Sequence, residues 1–258
     1  MKGGNAGVLL AAAVAASVSG AAMADPNFEE PGVRVLLSID GEVAGDGYGW
    51  VASDLGDVNG DGRSDFVVSA PFLTDADGNY IGKVYVHSGT DGSVIRSHTG
   101  SAGELVGYSA TAVGDVDADG IIDYGYGTFS GARVHSGATG ALLHSWSEAG
   151  RQFGFDMESA GDLDRDGHAD ILIGVPRAPD ADGVVSGRVD AYSGADGHLM
   201  WSAFGEVGGA NLGRGVGQLL DRDLARLDHA FASRFGSKDR PVATGVTDAI
   251  RALAWAEG

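Results

Sequence analysis

The chain has 258 residues, 44 of them glycine, no cysteine, and a formal net charge of −19. That charge argues against nucleic acid and anionic membrane surfaces as partners. The absence of cysteine removes disulfides as staples, and the glycines follow no G-X-Y period, which excludes collagen.

In chain order, Met1-Lys2 opens a small, apolar run from Ala6 to Ala22, and Ala22-Met23-Ala24 forms an A-x-A site. This predicts a secretory signal peptide over 1–24, cut after Ala24. The competing reading is a membrane anchor, but a short segment rich in Ala and Gly spans poorly. No later stretch reads as a bilayer span, so the mature chain is expected to be secreted, periplasmic or at the cell surface. The remainder is long enough to bury a substantial core.

A nine-residue pattern organises the rest of the chain. It occurs as Asp57-Val58-Asn59-Gly60-Asp61-Gly62-Arg63-Ser64-Asp65, then from Asp115 to Asp123, then from Asp162 to Asp170. Oxygen side chains stand at positions 1, 3, 5 and 9: Asp57, Asn59, Asp61 and Asp65; Asp115, Asp117, Asp119 and Asp123; Asp162, Asp164, Asp166 and Asp170. Position 6 is always Gly. Carboxylates this close repel unless a cation sits among them, and alternate hard oxygen ligands with a Gly for a sharp turn suit a Ca²⁺ loop. Position 7 is expected to add a backbone carbonyl, from Arg63, Ile121 and His168. The predicted cofactor is Ca²⁺, about three ions. Metal-free acidic turns are the competing reading, because Asp, Asn and Gly also favour turns. An EF-hand would need Glu at position 12, where Val68, Tyr126 and Ile173 stand instead.

Short apolar runs after each loop, such as Phe66-Val67-Val68 and Ile171-Leu172-Ile173, read as buried strands. Each is followed by a Gly, another strand and Ser-Gly, at Ser88-Gly89, Ser136-Gly137 and Ser193-Gly194. A turn and a last strand come next. Eight residues before each loop lies a Gly preceded by an apolar residue: Tyr48-Gly49, Val106-Gly107 and Phe153-Gly154. The segment Asp123 to Gly131 is shorter than its counterparts because it lacks the Asp-Ala-Asp-Gly turn found at 75–78 and 180–183. These extra turns could bind metal or be ordinary hairpin turns. The fold class is all-β: β-propeller-type repeats of four-stranded antiparallel blades, about three complete, at roughly 49–106, 107–153 and 154–212, within a repeat region of 25–221. The run Val33–Ile39 resembles the last strand of a repeat and could complete a terminal blade.

The pattern Tyr48-Gly49, Gly56 to Asp65, Phe66-Val67-Val68 and Ala70-Pro71 resembles the FG-GAP repeat of integrin alpha-chain propellers. The third copy, Phe153-Gly154 through Gly174-Val175-Pro176, is similar. The second departs, with Tyr126-Gly127-Thr128 where Gly-Ala-Pro is expected. The resemblance spans roughly 33–221. It implies a seven-bladed propeller with Ca²⁺ in the hairpin between the first two strands of a blade. The chain has room for about four blades. A fourth repeat begins at Leu212-Gly213, and Asp221 and Asp223 fit positions 1 and 3, but Ala225, Arg226 and His229 break the loop. Residues 222–258 change composition, with Leu224, Leu227, Phe231 and Phe235 at helical spacing. They read either as a helical cap or docking segment, or as a degenerate or frame-shifted end.

No catalytic constellation is visible: there is no G-x-S-x-G, H-E-x-x-H or P-loop, so an enzyme is not expected. His87 and His135 occupy equivalent places before Ser-Gly, which suggests a role in the repeat. The sequence therefore points to a secreted, calcium-binding adhesion or binding module with an extracellular protein or glycan ligand. The alternative is an accessory or truncated part of an extracellular hydrolase acting on polysaccharide or lipid.

Overall fold

A computed structural model describes residues 35–205 and 207–216. It is all-β among those residues, with twelve strands in three four-stranded antiparallel sheets. The first sheet holds β1 (Ala52–Gly56), β2 (Asp65–Ala70), β3 (Lys83–His87) and β4 (Val94–Thr99). The second holds β5 (Ala110–Gly114), β6 (Asp123–Gly127), β7 (Gly131–His135) and β8 (Leu142–Ser147). The third holds β9 (Met157–Gly161), β10 (Asp170–Val175), β11 (Arg188–Tyr192) and β12 (Leu199–Phe204). Each sheet runs in sequence order, so every connection within it is a hairpin. The expected signal peptide over 1–24 and the C-terminal segment 222–258 lie outside the described residues.

Burial explains the strand sequences. β2, β6 and β10 are buried almost throughout, whereas β4, β8 and β12 begin and end exposed. A strand covered on both faces needs a continuous apolar run, and an edge strand does not. The covering comes from the neighbouring sheets. One core cluster joins Leu55, Val67, Val84 and Val86 of the first sheet to Ala110, Tyr124 and Tyr126 of the second. Another joins Val113, Val116, Ala132 and Val134 to Met157, Ile171, Ile173 and Val175. The first strands β1, β5 and β9 lie side by side. Sheets stacked face to face around their first strands are propeller blades, and here they form an unclosed arc.

The extra Asp-Ala-Asp-Gly segments are hairpin turns. Asp75 accepts the Asp77 and Asn79 N–H groups, and Thr74 pairs with Tyr80 as Pro179 does with Val185. The expectation of a strand over Val33–Ile39 is not met: residues 35–40 form no strand. Their placement is nevertheless that of an outer strand. Ile39 packs against Gly92 in the β3–β4 turn as Arg96 of β4 packs against Gly140 and His144 of β8 against Gly197. Among the described residues no further sheet supplies inner strands beside them, so residues 35–40 join no ladder.

Candidate metal centres

The three loops join β1 to β2, β5 to β6 and β9 to β10, and they close in the same way. The position-1 carboxylate reaches over the turn. Asp57 accepts the N–H groups of Gly60, Asp61 and Gly62; Asp115 accepts those of Asp119 and Gly120; Asp162 accepts those of Asp166 and Gly167. The position-5 carboxylate accepts the position-7 N–H, from Arg63, Ile121 or His168, at 2.8–2.9 Å. The position-6 glycine adopts φ of +85° to +95°, a region that L side chains enter only with strain. Position 4 is also left-handed. Gly60 takes this φ freely, whereas Ala118 (φ 58°) and Arg165 (φ 67°) do so with a Cβ present.

Position 9 has a second task that spacing does not reveal. Asp65, Asp123 and Asp170 are at most 1% exposed. Each accepts the position-2 N–H with one oxygen and the Ser-Gly glycine N–H with the other. The carboxylate thus ties the loop to the turn after the third strand. The Ser-Gly glycine is needed there for lack of room. A Cβ on Gly89, Gly137 or Gly194 would lie within about 2 Å of the position-8 carbonyl of Ser64, Ile122 or Ala169. The recurring Ser-Gly is the sequence signal for this tie, but recurrence alone does not say which carboxylate it serves. His87 and His135 act in the same turns. Their Nδ1–H groups donate to Gly92 and Gly140 carbonyls, and their Nε2 atoms accept the Tyr48 and Tyr126 hydroxyls.

The loops differ in how well their oxygens are satisfied. In the first, the Asn59 side-chain amide donates to Asp61 at 3.1 Å and Asp65 at 3.5 Å. Asp61 also accepts the Thr90 and Ser88 hydroxyls, and the Thr90 bond leads in holding its carboxyl below the usual range. In the second loop, Asp115, Asp117 and Asp123 bring carboxylate oxygens within 4.8 Å of one another. Asp117 Oδ1 is buried without a hydrogen-bond partner. Burial pushes Asp123 up to about 6, against the pull of the Gly137 and Val116 N–H groups. In the third, Asp162, Asp164 and Asp166 lie within the same 4.8 Å, and burial raises Asp170. A hard divalent cation fits this donor set: crowded carboxylate oxygens, one buried and unpartnered, with no nitrogen or sulfur side-chain donor.

A second surface lies at the other end of the first strands. The residue after each repeat glycine is aromatic: Trp50, Tyr108 and Phe155. Their rings follow one another at 6.3 and 5.1 Å between centroids. Phe72 and Tyr80 extend the row outward from Trp50, and the Arg214 guanidinium stands 5.9 Å from Phe155. Trp50 and Tyr80 are about half exposed. In the sequence the glycines mark the repeat, and the aromatic residue beside each one is a signal of the same period that repeat-matching passes over.

The FG-GAP repeat family matches residues 49–87 and 158–192, the first and third loop regions. Integrin alpha-PS5 of Drosophila melanogaster is 32% identical over 169 residues, covering 57% of this chain and 16% of that protein. Human integrin alpha-7 is 29% identical over 157 residues, covering 55% and 13%. The chain thus spans only 16% and 13% of the length of these two relatives. Among solved structures, Bacillus licheniformis rhamnogalacturonan lyase PL11 matches with TM-score 0.36 at 15% identity, over 64% of this chain and 36% of that one. The chain carries FG-GAP repeats, folded as propeller-type blades, and is similar over them to integrin alpha chains.

Proposed function

We propose that this chain is an extracellular binding module of the adhesion type, held in shape by Ca²⁺ in its three β-hairpin loops. The observation that carries the metal reading is the crowding of carboxylates in the second and third loops, with Asp117 Oδ1 buried and unpartnered. The ligands would be Asp57, Asn59, Asp61 and Asp65; Asp115, Asp117, Asp119 and Asp123; Asp162, Asp164, Asp166 and Asp170, with the carbonyls of Arg63, Ile121 and His168. Bound Ca²⁺ would neutralise the loop charge and fix the hairpins; its task is structural. Calorimetric titration of chelated protein is expected to give about three ions per chain, and no binding at millimolar Ca²⁺ would remove this reading.

Integrin alpha chains are similar to this chain over the blades, which supports an extracellular setting and a role in binding rather than chemistry. The aromatic row from Tyr80 to Phe155 is the surface best suited to hold a protein or glycan ligand, because half-exposed rings offer large apolar area at low entropic cost. An array of glycans and extracellular proteins, probed with wild type and Trp50→Ala, tests this. Binding lost in the variant supports it. Hydrolytic activity on a polysaccharide or lipid panel would favour the enzyme-accessory reading instead.

A further inference from the structure

The second and third loops are joined to each other, and no comparable bond joins the first to the second among the described residues. The Ala169 N–H, at position 8 of the third loop, donates to the Asp115 carbonyl, at position 1 of the second, at 2.8 Å. The His168 ring, at position 7, donates through Nδ1 to the Val116 carbonyl at 2.7 Å. A carbonyl can only accept, so Nδ1 carries the proton. The equivalent residues of the second loop are Ile121 and Ile122. Ile121 has no polar side chain to reach back, and Ile122 places its Cδ1 near Gly56.

Resting on the calcium reading, we infer that the second and third loops bind Ca²⁺ as a positively coupled pair, with His168 and the Ala169 amide as the link, while the first loop binds on its own. The residues held from the third loop are those that present Asp115 and lead to Asp117. A cation that orders positions 5 to 9 of the third loop fixes His168 and Ala169, and through them positions 1 and 2 of the second. The second ion then loses less ordering entropy, and by linkage the effect is reciprocal. The sign is diagnostic. Two cations in neighbouring loops repel, and each ion bound removes negative charge that attracts the next. Direct electrostatics therefore gives negative coupling, weakened by salt with a screening length of about 8 Å at physiological ionic strength. Positive coupling has to come through the contacts that join the two loops.

The position-6 glycine amides each bond to their own position-1 carboxylate, so Gly62, Gly120 and Gly167 report one loop apiece. The test follows these three amides in the ¹⁵N spectrum of the chelated, full mature chain titrated with Ca²⁺ in physiological salt. Gly120 and Gly167 are expected to shift together, with a Hill coefficient above one, and Gly62 separately. Asp166→Ala, which spoils the third loop, is expected to weaken the Gly120 transition by about fivefold or more, the lower end of typical coupling. Asp61→Ala in the first loop leaves that transition in place. His168→Ala keeps a position-7 carbonyl and lets the third loop bind, yet separates the two transitions. A Gly120 midpoint unmoved by Asp166→Ala, or moved equally by Asp61→Ala, overturns the coupling alone. No Ca²⁺-dependent shift at any of the three glycines overturns the calcium reading, and the coupling with it.

Discussion

Replacing Asp117 by Asn should raise stability without Ca²⁺ and shrink the stabilisation that Ca²⁺ brings. The first loop supplies the template: Asn59 occupies the same position and donates its amide to Asp61 and Asp65. In the second loop, Asp117 instead adds a third carboxylate to a group whose oxygens lie within 4.8 Å, with one oxygen buried and unpartnered. Two unit charges at that separation repel by about 1 kcal/mol in bulk water and about 3.5 kcal/mol at an effective dielectric near 20. The loop is partly exposed, so the lower figure is the better guide. A hydrogen bond to a charged partner contributes about 1.5–3 kcal/mol, reduced here by the same exposure. Together these give about 1–3 kcal/mol of stabilisation in chelator. For a domain of this size each kcal/mol raises Tm by about 2–4 °C. With Ca²⁺ the same change removes one anionic ligand and weakens binding. Because bound ligand stabilises by RT ln(1 + [L]/Kd), a tenfold rise in Kd takes about 1.4 kcal/mol off the stabilisation that saturating Ca²⁺ adds to the metal-free protein. Thermal melting of wild type and Asp117→Asn, each with 5 mM Ca²⁺ or with chelator (conditions chosen to bracket the roughly micromolar-to-millimolar Kd of such loops), should therefore show the variant melting higher in chelator and gaining less than wild type from Ca²⁺. A variant no more stable than wild type in chelator, or one that gains as much as wild type from Ca²⁺, would refute the account of the second loop.

Other substitutions probe the same geometry. Ala118→Gly should stabilise the protein by about 0.5–1 kcal/mol in chemical denaturation, because relief of the left-handed strain exceeds the entropy that glycine adds to the unfolded chain; Gly60→Ala should do the reverse. Gly137→Ala should destabilise by at least about 2 kcal/mol, since its Cβ would fall 1.9 Å from the Ile122 carbonyl oxygen and displace the amide that holds Asp123. The chelated protein should lose stability as pH falls from about 6.5 toward 4 through His98, which burial against Tyr124 and His135 pushes down to about 4. The unfolded chain binds more protons than the folded one in that window, so stability rises with pH. Asp123, up at about 6, works the other way between about 4 and 6. His98→Gln should therefore flatten or invert the acid loss of stability seen in urea melts, and an unchanged pH profile would refute the assignment.

The blade plan is legible in the sequence because strand periodicity, hairpin turns and loop spacing are local properties. Four strands per repeat, the loop between the first two, and the Asp-Ala-Asp-Gly turns are each written within a few consecutive residues. The clustering of Asp115 and Asp117 is legible for the same reason, since alternate positions on one tight turn must lie close together. Packing settles whatever depends on residues distant along the chain. Asp65, Asp123 and Asp170 hold their loops to Ser-Gly turns as many as 24 residues away, a pairing that no spacing rule specifies. Residues 35–40 carry a strand-like sequence, but a strand needs a neighbouring ladder, and none of the three described sheets pairs with them. The aromatic row is assembled from Trp50, Tyr108 and Phe155, one from each repeat, and becomes continuous only when the first strands come side by side. The bond from His168 to Val116 crosses between blades. It exists because face-to-face packing brings the end of one loop against the start of the one before it.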